Sequence, residues 1–315
     1  MSDVLTPRPL GRTGLPAPAL CVGTSSLGSI PRIYGYEVGA EQARQTLRAV
    51  FAGPIRFVDT SNSYGGGESE RRIGAVLREI GGLPPGFLLS TKVDPDATGD
   101  FSGRRVRASL DESRERLGMD HLPLVYLHDP ERIDFGYATG PDGPVRALLA
   151  LRDEGRIGHL GVAGGPVEML RRYVGLGHFE AVITHNRYTL LDRSAEPLLD
   201  DCADAGVAVL NAAPFGGGIL VKGPEDAPRY AYRDAPDLIR DRVREMARLC
   251  AAEGVPLAAA ALQFSLREPR IAATVVGITR PERLAQLLEQ ATVPLPETLW
   301  PRLERLVPDR THWLD

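Results

Sequence analysis

The sequence contains little cysteine and no closely spaced cysteine pair. Its three cysteines, Cys21, Cys202 and Cys250, form an odd set without a CxxC motif. This pattern argues against both a disulfide framework and a zinc cluster. None of the six histidines lies in an HExxH motif or at the spacing of a ligand pair, so we expect no metal site. The cysteines are expected to be small core residues.

Long apolar runs and clusters of positive charge are also missing. No segment approaches the roughly 18 apolar residues of a membrane-spanning helix, and the first residues, MSDVLTPRPLGRTG, lack the apolar core of a secretory leader. The net charge is −4 and the arginines form no basic stripe, which argues against a nucleic-acid partner. We therefore expect a cytoplasmic protein that binds neither membrane nor nucleic acid.

Lysine is scarce. Among 37 lysines and arginines, only Lys92 and Lys222 are lysine. Arginine therefore serves wherever a solvated cation suffices. A lysine at the end of an apolar segment then indicates a position that needs a compact, titratable amine.

What the sequence does have is a regular alternation of short apolar segments and longer amphipathic segments. The amphipathic segments carry apolar residues every three or four positions, and several end at a glycine, so they predict helices. Strands that alternate with helices predict a parallel sheet covered by helices. Eight such units without a change of composition predict one closed α/β barrel, a (β/α)8 TIM barrel, forming a single domain over residues 1–315. The predicted strands are 19–23, 55–59, 87–92, 124–128, 159–164, 181–186, 207–213 and 273–278.

Two segments extend the predicted barrel. RPLGRTGLPAPAL, residues 8–20, has paired turn signals and predicts an N-terminal β-hairpin that closes the barrel floor. PETLWPRLERLV, residues 296–307, predicts an extra C-terminal helix. No linker rich in glycine, serine or proline divides the chain.

Polar side chains stand at the ends of three successive predicted strands. The second strand ends at Asp59, with Tyr64 five residues later, the third ends at Lys92 and the fourth at His128. Because active sites of such barrels form where the strands end, we expect these side chains to meet. Taken singly, Asp59 is a turn cap, Tyr64 a packing residue and Lys92 a surface cation. Their joint placement is what indicates a site.

These four residue types suit a proton transfer. A tyrosine ordinarily titrates at about pH 10, and an adjacent ammonium favours the phenolate, so we expect Lys92, held by Asp59, to lower the pKa of Tyr64. Tyr64 is then a general acid in one direction and a general base in the other. His128 is expected to form a hydrogen bond with the substrate oxygen.

One longer motif carries a family resemblance. FVDTSNSYGGGESERRIG, residues 57–74, together with STK and YLHD, resembles the signature of the aldo-keto reductases, which are NAD(P)-dependent (β/α)8 oxidoreductases. The resemblance runs from about residue 10 to residue 295. It implies that Asp59, Tyr64, Lys92 and His128 form the catalytic tetrad. A hydride is then expected to move between the nicotinamide and a carbonyl or carbinol carbon while Tyr64 transfers the proton.

The resemblance also implies a nicotinamide site, with one departure. The fifth strand ends in Ala163 and Gly164 where the family commonly has serine and asparagine. These side chains cannot hold the nicotinamide carboxamide, and His185 or Asn186 is expected to replace them. Tyr188 matches the aromatic residue that stacks on the nicotinamide.

Two later segments are expected, by the same resemblance, to hold the cofactor phosphates. Glycines after the seventh strand let backbone N–H groups approach the pyrophosphate, and the helix start after the eighth strand suits an anion. Two arginines there are expected to bind a ribose 2′-phosphate. This expectation favours NADP, and NAD stays open as the alternative cofactor. Gly277 stands where many members have lysine. The residues concerned are Pro214, Phe215, Gly216 and Gly217, then Gly277, Thr279, Arg280, Arg283 and Gln286.

The substrate is expected to be a small-molecule carbonyl compound or sugar. NRYTLLDR and the missing serine–asparagine pair make the chain similar to the branch of aldose 1-dehydrogenases and pyridoxal 4-dehydrogenase. Three alternatives stay open: a general aldehyde or ketone reductase, a non-catalytic nucleotide-sensing subunit, and a Schiff-base lyase that uses Lys92. The pairing of Asp59 with Lys92 argues against the lyase. The oligomeric state is also open.

Overall fold

The computed structural model describes residues 4–315, so residues 1–3 of the predicted domain lie outside the described residues. Each barrel strand pairs in parallel with the next, and the last strand pairs with the first through Thr274 and Leu20. The predicted (β/α)8 barrel is confirmed. Its strands are β1 (Leu20–Gly23), β2 (Phe57–Asp59), β3 (Leu88–Val93), β4 (Leu122–His128), β5 (Ile157–Gly164), β6 (Ala181–His185), β7 (Ala208–Ala212) and β8 (Ile271–Gly277).

The strands are continuous apolar segments because both of their faces are buried. In β4, Leu124 and Tyr126 point into the barrel and pack with Phe57. The alternate residues Val125 and Leu127 belong to the cluster between barrel and helices. Side chains alternate between two buried environments, so apolar residues are needed at every position.

The helices surround the barrel and present their apolar faces to it. Helix 68–80 packs closely on helix 103–117 because Gly74 has no side chain: a Cβ there would lie 1.8 Å from the Arg116 carbonyl oxygen. Single helical turns span Pro31–Tyr34 and Ile219–Lys222. The main helices are α1 (Ala40–Ala52), α2 (Glu68–Ile80), α3 (Gly103–Leu117), α4 (Pro144–Asp153), α5 (Val167–Val174), α6 (Glu196–Asp204), α7 (Asp237–Ala252), α8 (Leu257–Leu266), α9 (Glu282–Thr292) and α10 (Leu299–Glu304).

The helix α8 is not predicted from the sequence pattern, whereas the C-terminal helix lies where it was predicted. The α8 sequence, LAAAALQFSL, is buried on most sides, so no polar face marks a helical period. The predicted helix over 296–307 is observed as the shorter α10. Among the described residues no single helix is long and apolar enough to cross a bilayer; α7 and α8 taken together, bent by 97° at their junction, reach that length and composition.

A β-hairpin closes the barrel floor, as predicted. Its strands, Arg8–Pro9 and Pro16–Ala17, pair in antiparallel register. The backbone N–H of Arg12 donates to the Gly206 carbonyl (2.9 Å), and the Arg12 guanidinium donates to the Phe179 carbonyl (2.8 Å). These carbonyls precede β7 and β6, so the hairpin covers the amino ends of the strands. The opposite end of the barrel stays free for a site.

Two long loops border that opposite end, the barrel mouth. The loop after β1 carries Tyr34 and Tyr36, whose ring centroids are 5.8 Å apart. The loop after β7 contains a small hairpin whose turn residue Tyr232 has a positive φ of 69°. The ring of Tyr232 lies 6.4 Å from that of His185. The mouth is therefore lined by polar aromatic side chains.

Candidate active site

The four predicted catalytic side chains meet at the carboxyl ends of β2, β3 and β4. Lys92 Nζ lies 2.5 Å from Asp59 Oδ2 and 3.2 Å from the Tyr64 hydroxyl oxygen. The rings of Tyr64 and His128 pack edge to face, with centroids 5.6 Å apart. The structure thus brings together the residues that the strand-end pattern selected.

Lys92 is held rigidly by its surroundings. It is only 1% exposed, and Asp59 is 3% exposed. The amine donates to Asp59, to the Thr60 carbonyl (2.7 Å) and to Tyr64, which uses its three N–H groups. Ser90 Oγ donates to the second carboxylate oxygen of Asp59 at 2.8 Å. Because these hydrogen bonds satisfy both charges of the buried ion pair, the Lys92 amine is fixed in one position.

The prediction that Lys92 lowers the pKa of Tyr64 is wrong. Burial, followed by the charge of Asp59, raises the pKa of the Tyr64 phenol well above its usual range. Asp59 offsets the field of Lys92 because the two charges are in contact. The resting phenol is therefore protonated at neutral pH and is suited to donate a proton.

A buried carboxylate that the sequence analysis missed supports His128. Asp94 Oδ1 lies 2.7 Å from His128 Nδ1, while Ser61 Oγ (2.5 Å) and the Ser63 N–H (3.0 Å) donate to Oδ2. Burial alone would raise the pKa of Asp94, but His128 and these hydrogen bonds lower it to about 2. Asp94 follows the end of β3 directly, so the strand-end pattern contained the signal that would have found it.

His128 itself responds to opposing influences. Burial lowers its pKa, but the charges of Asp94 and Asp129 outweigh burial, and the net pKa is raised. Asp129 Oδ1 lies 3.6 Å from His128 Nε2 on the side away from Asp94. The imidazole is thus flanked by a carboxylate near each ring nitrogen.

Asn186 and His185, after β6, fit a nicotinamide carboxamide. Asn186 is 1% exposed, and its side-chain oxygen has no hydrogen-bond partner among the described residues. Its amide nitrogen lies 3.2 Å from His185 Nδ1. An orphaned buried acceptor is costly, and the N–H of a carboxamide would satisfy it. Burial lowers the pKa of His185 to about 4, so this ring is neutral.

At the end of β5, where the family commonly holds the carboxamide with serine and asparagine, the space is filled by a carboxylate. Ala163 is buried, and a Cβ on Gly164 would lie 2.9 Å from the Glu131 carboxylate. Glu131 also accepts a hydrogen bond from the Gly165 N–H at 3.3 Å. A carboxylate from the loop after β4 therefore occupies the space beside Gly164.

The prediction that Tyr188 stacks on the nicotinamide is wrong. Its ring stacks on Phe264 of α8 with centroids 4.8 Å apart, and its hydroxyl donates to Glu268 at 2.9 Å. It belongs to the hydrophobic cluster between barrel and helices. Asn211 Nδ2 donates to the Tyr188 carbonyl at 2.8 Å, which ties the backbone of this segment to β7.

The glycine segment after β7 is divided between core and surface. Pro214 is buried, and Phe215 packs against the hydrophobic clusters. A Cβ on Gly216 would meet the Tyr230 ring at 2.8 Å. Gly217 is exposed and has a φ of 79°, with no atom closer than 3.7 Å to a Cβ position. Gly217 is therefore the position at which a phosphate can approach the backbone closely.

The residues after β8 form an exposed basic edge. Gly277, Arg280 and Arg283 are exposed, and neither arginine forms an ion pair with any described residue. Arg283 donates to the Gln286 side chain at 3.0 Å, and the Thr279 carbonyl accepts a hydrogen bond from Gln42 at 2.8 Å. Both arginines stand at the start of α9, where backbone N–H groups also favour an anion.

The aldo/keto reductase family profile matches residues 19–308. The chain belongs to the aldo/keto reductase family. This aldo/keto reductase is 34% identical to a D-threo-aldose 1-dehydrogenase from a Pseudomonas species, over 94% of the chain and 96% of the relative. It is 30% identical to a pyridoxal 4-dehydrogenase from Microbacterium luteolum, over 94% and 96%. It is 31% identical to an L-galactose dehydrogenase from Arabidopsis thaliana, over 86% and 83%.

The fold of this aldo/keto reductase is shared with a solved structure. An aldo-keto reductase from Bacillus halodurans superposes with a TM-score of 0.76 at 20% identity, covering 98% of this chain and 99% of that chain. Family membership and the dehydrogenase relatives make the protein an NAD(P)-dependent oxidoreductase. The expectations of a non-catalytic subunit or a lyase are not retained.

Proposed function

We propose that this aldo/keto reductase is an aldose 1-dehydrogenase, which oxidises the C1 hydroxyl of a sugar or of a related hydroxylated ring, with Tyr64 exchanging the substrate proton. The observation that carries the proposal is the contact of Lys92 with the Tyr64 hydroxyl, 3.2 Å long, beside His128 at the barrel mouth. Two of the relatives named above are sugar dehydrogenases, which supports the choice of substrate class.

The nicotinamide cofactor supplies or accepts the hydride. During reduction, Tyr64 donates its proton to the carbonyl oxygen of the substrate. During oxidation, the carbinol proton passes to the Tyr64 oxygen, and the Lys92 ammonium stabilises the negative charge on that oxygen beforehand. Asp59 keeps Lys92 in place, and His128 binds the substrate oxygen.

The charge at the mouth supports a hydroxylated substrate. Asp129 has a positive φ of 42°, which is strained for a residue with a side chain. This backbone turn places its carboxylate 3.6 Å from His128 Nε2, with Arg132 donating to the other oxygen at 2.6 Å. A carboxylate accepts hydrogen bonds from hydroxyl groups and repels anions. We therefore assign neutral polyols to this pocket, and not carboxylates or phosphate esters.

We assign NADP as the cofactor, with NAD as the alternative. Asn186 is the residue assigned to the carboxamide, Gly217 to the pyrophosphate, and Arg280 with Arg283 to the ribose 2′-phosphate. The support for NADP is that both arginines are exposed and without an ion pair among the described residues. An arginine pair held free of carboxylates suits a phosphate group.

The decisive experiment combines nucleotide titration with a substrate panel. NADPH and NADH are titrated into the purified protein while nucleotide fluorescence is followed. Aldoses, aromatic alcohols and pyridine alcohols are then screened for formation of reduced nicotinamide, and the matching aldehydes for its consumption. We expect oxidation of at least one aldose.

The second candidate function is a general aldehyde or ketone reductase. The raised pKa of Tyr64 favours it, because a protonated phenol can donate the proton that the carbonyl oxygen needs when the nicotinamide supplies the hydride. Reduction of many aldehydes together with no oxidation of any aldose would select this candidate and reject the sugar dehydrogenase.

A further inference from the structure

Asp94 is buried beside the candidate active site, and no lysine or arginine among the described residues forms an ion pair with its carboxylate. Its side chain is fully buried immediately after β3. Within the described residues His128 is the only side chain that forms an ion pair with it. The two hydroxyl and amide donors on its other oxygen come from Ser61 and Ser63, in the loop that also carries Tyr64. A buried charge of this kind is costly unless its partners are fixed.

We propose that Asp94 is a positioning residue for His128: it keeps a hydrogen on Nδ1 and thereby presents Nε2 to the substrate oxygen. This inference rests on the proposed function, because it assigns a task to His128 in the same site. A carboxylate can only accept hydrogen bonds, so the atom 2.7 Å from it, His128 Nδ1, carries the hydrogen. Ser61 Oγ, 3.1 Å from the same nitrogen, donates its own hydrogen to Asp94 and is left as a second acceptor.

With Nδ1 protonated, the charge of His128 sets what Nε2 can do. In the neutral ring Nε2 has only a lone pair, so it cannot donate a hydrogen bond to the substrate oxygen. In the imidazolium Nε2 carries a hydrogen and donates to the oxygen of a carbonyl. The charged ring therefore supports carbonyl reduction, whereas the neutral ring cannot make this bond; the hydroxyl proton of a carbinol passes to Tyr64.

Several charged groups face His128 from the surrounding strands, and they favour the imidazolium. Asp94 and Asp129 are the nearest carboxylates, and the one nearby ammonium, among the described residues, is already paired with Asp59. The net result is a raised pKa of His128 in spite of burial. The titratable groups around the ring are Tyr64 after β2, Lys92 and Asp94 at the end of β3, Asp129 and Glu131 after β4, and His185 at the end of β6.

The first test leaves Asp94 unchanged. Long-range ¹⁵N–¹H NMR on histidine-labelled protein reports the tautomer and the pKa of each imidazole, and the His128→Gln spectrum assigns the signals of His128. We expect a hydrogen on Nδ1 at every pH and a pKa above the ordinary value of about 6.5. A neutral ring with its hydrogen on Nε2 would overturn the proposal, whether or not any sugar proves to be a substrate.

The second test removes the charge of Asp94. In Asp94→Asn we expect carbonyl reduction at neutral pH to fall by roughly tenfold to hundredfold, and the His128 limb of the pH profile to move to lower pH. The dissociation constant for NADPH should stay nearly unchanged, because the Asp94 carboxylate contacts Ser61, Ser63 and His128, none of which is assigned to the nucleotide. Asp96→Asn is the matched control: Asp96 lies in the same loop, is exposed, and uses its oxygen for local hydrogen bonds to Thr98.

An Asp94→Asn enzyme with an unchanged pH profile would reject the positioning role. If the variant does not fold, the NMR tautomer of the unaltered protein decides the question alone. Failure of the sugar panel with the expected tautomer would reject the proposed substrate and leave the role of Asp94 intact.

Discussion

Tyr64 is a residue at which a single neighbour gives a misleading expectation. Lys92 lies 3.2 Å from its oxygen, yet the pKa of the phenol is raised. Burial of the phenol is the main cause. Asp59 adds to it, because it contacts the same ammonium and leaves the phenol near an ion pair and not near a free cation. The sequence identifies both charges, but their contact distance is needed to decide which effect dominates.

The raised pKa predicts opposite pH dependences for the two directions. Tyr64 must release its proton before it can accept one from a carbinol, whereas reduction uses the proton already present. We expect kcat/KM for oxidation to increase with pH through the neutral range and above. We expect kcat/KM for reduction to be flat or to fall as pH rises. Initial rates in both directions from pH 6 to pH 10 check this, and an oxidation rate that falls with pH would contradict it.

Replacing Tyr64 with phenylalanine removes the proton and keeps the ring. We expect turnover to fall by about a hundredfold to ten-thousandfold, with the NADPH dissociation constant nearly unchanged because the ring still packs on His128. Tyr137→Phe is the control, since that exposed tyrosine lies on a surface helix. Normal turnover in Tyr64→Phe would exclude this residue as the acid–base group.

The two arginines at the start of α9 predict a cofactor preference. In Arg283→Ala we expect the dissociation constant for NADPH to rise by about tenfold, the range of one charge-assisted hydrogen bond, and that for NADH to change little. Fluorescence titrations with both nucleotides measure the ratio. Arg104→Ala is the matched control, because Arg104 is exposed at the start of another helix. Equal losses for both nucleotides would reject the 2′-phosphate assignment.

At the residue scale, the sequence was informative about strand ends and less informative about the loops. Asp59, Lys92 and His128 were located because they close apolar segments that could be recognised directly. Tyr188 was misplaced because its direction depends on a turn after β6, in which Asn186 takes a positive φ of 62°. A left-handed turn at asparagine is common, but its effect on the next side chains cannot be read from residue types.

At the scale of elements, α2 and α3 are tied together beneath the loop that carries Tyr64. Glu70 of α2 is fully buried, and accepts hydrogen bonds from Thr91 Oγ1 (2.7 Å) and Arg116 Nη1 (3.1 Å). Arg116 also donates to the Asn62 carbonyl at 3.1 Å. One arginine therefore connects two helices to the active-site loop.

Loss of that arginine should be costly. In Arg116→Met we expect the free energy of unfolding to fall by about 3 kcal/mol, because Glu70 is left as a buried charge without its partner. Burial already raises the pKa of Glu70, so protonation relieves the cost and the loss should be smaller at pH 5 than at pH 8. Urea unfolding at both pH values measures it.

Two further variants make the test specific to the pair. The double variant Glu70→Gln/Arg116→Met should recover part of the stability, because no charge is left unpaired. Arg104→Met, a change of the same type at an exposed site, should have little effect. Equal losses in the two single arginine variants would show that Glu70 does not need Arg116.

The eight-fold repeat of strand and helix was sufficient to predict the barrel, because its strands have both faces buried and so stand out as apolar segments. The helix α8 was missed for the related reason that it has no polar face. The small hairpin in the loop after β7 was missed as well, since its turn residues Ala231 and Tyr232 take positive φ angles without glycine or asparagine. Architecture was predictable at this scale, and irregular connections were not.

Mutation of the barrel floor should lower stability without changing catalysis at the mouth. Leu10 belongs to the N-terminal hairpin and is buried in the interior cluster at the floor. In Leu10→Ala we expect a loss of about 2–4 kcal/mol in the free energy of unfolding, with kcat at 25 °C unchanged. Leu15→Ala, in the same hairpin but half-buried, should lose less. A large fall in kcat without a loss of stability would contradict the separation.

The pairing of β1 with β8 determines when the barrel can close during synthesis. Residues 20–23 find their second neighbour only in residues 274–277, and the hairpin ahead of them binds carbonyls at 179 and 206. During synthesis one edge of β1 therefore stays unpaired until almost the whole polypeptide has been made. Chains truncated before residue 271 should expose that edge and aggregate.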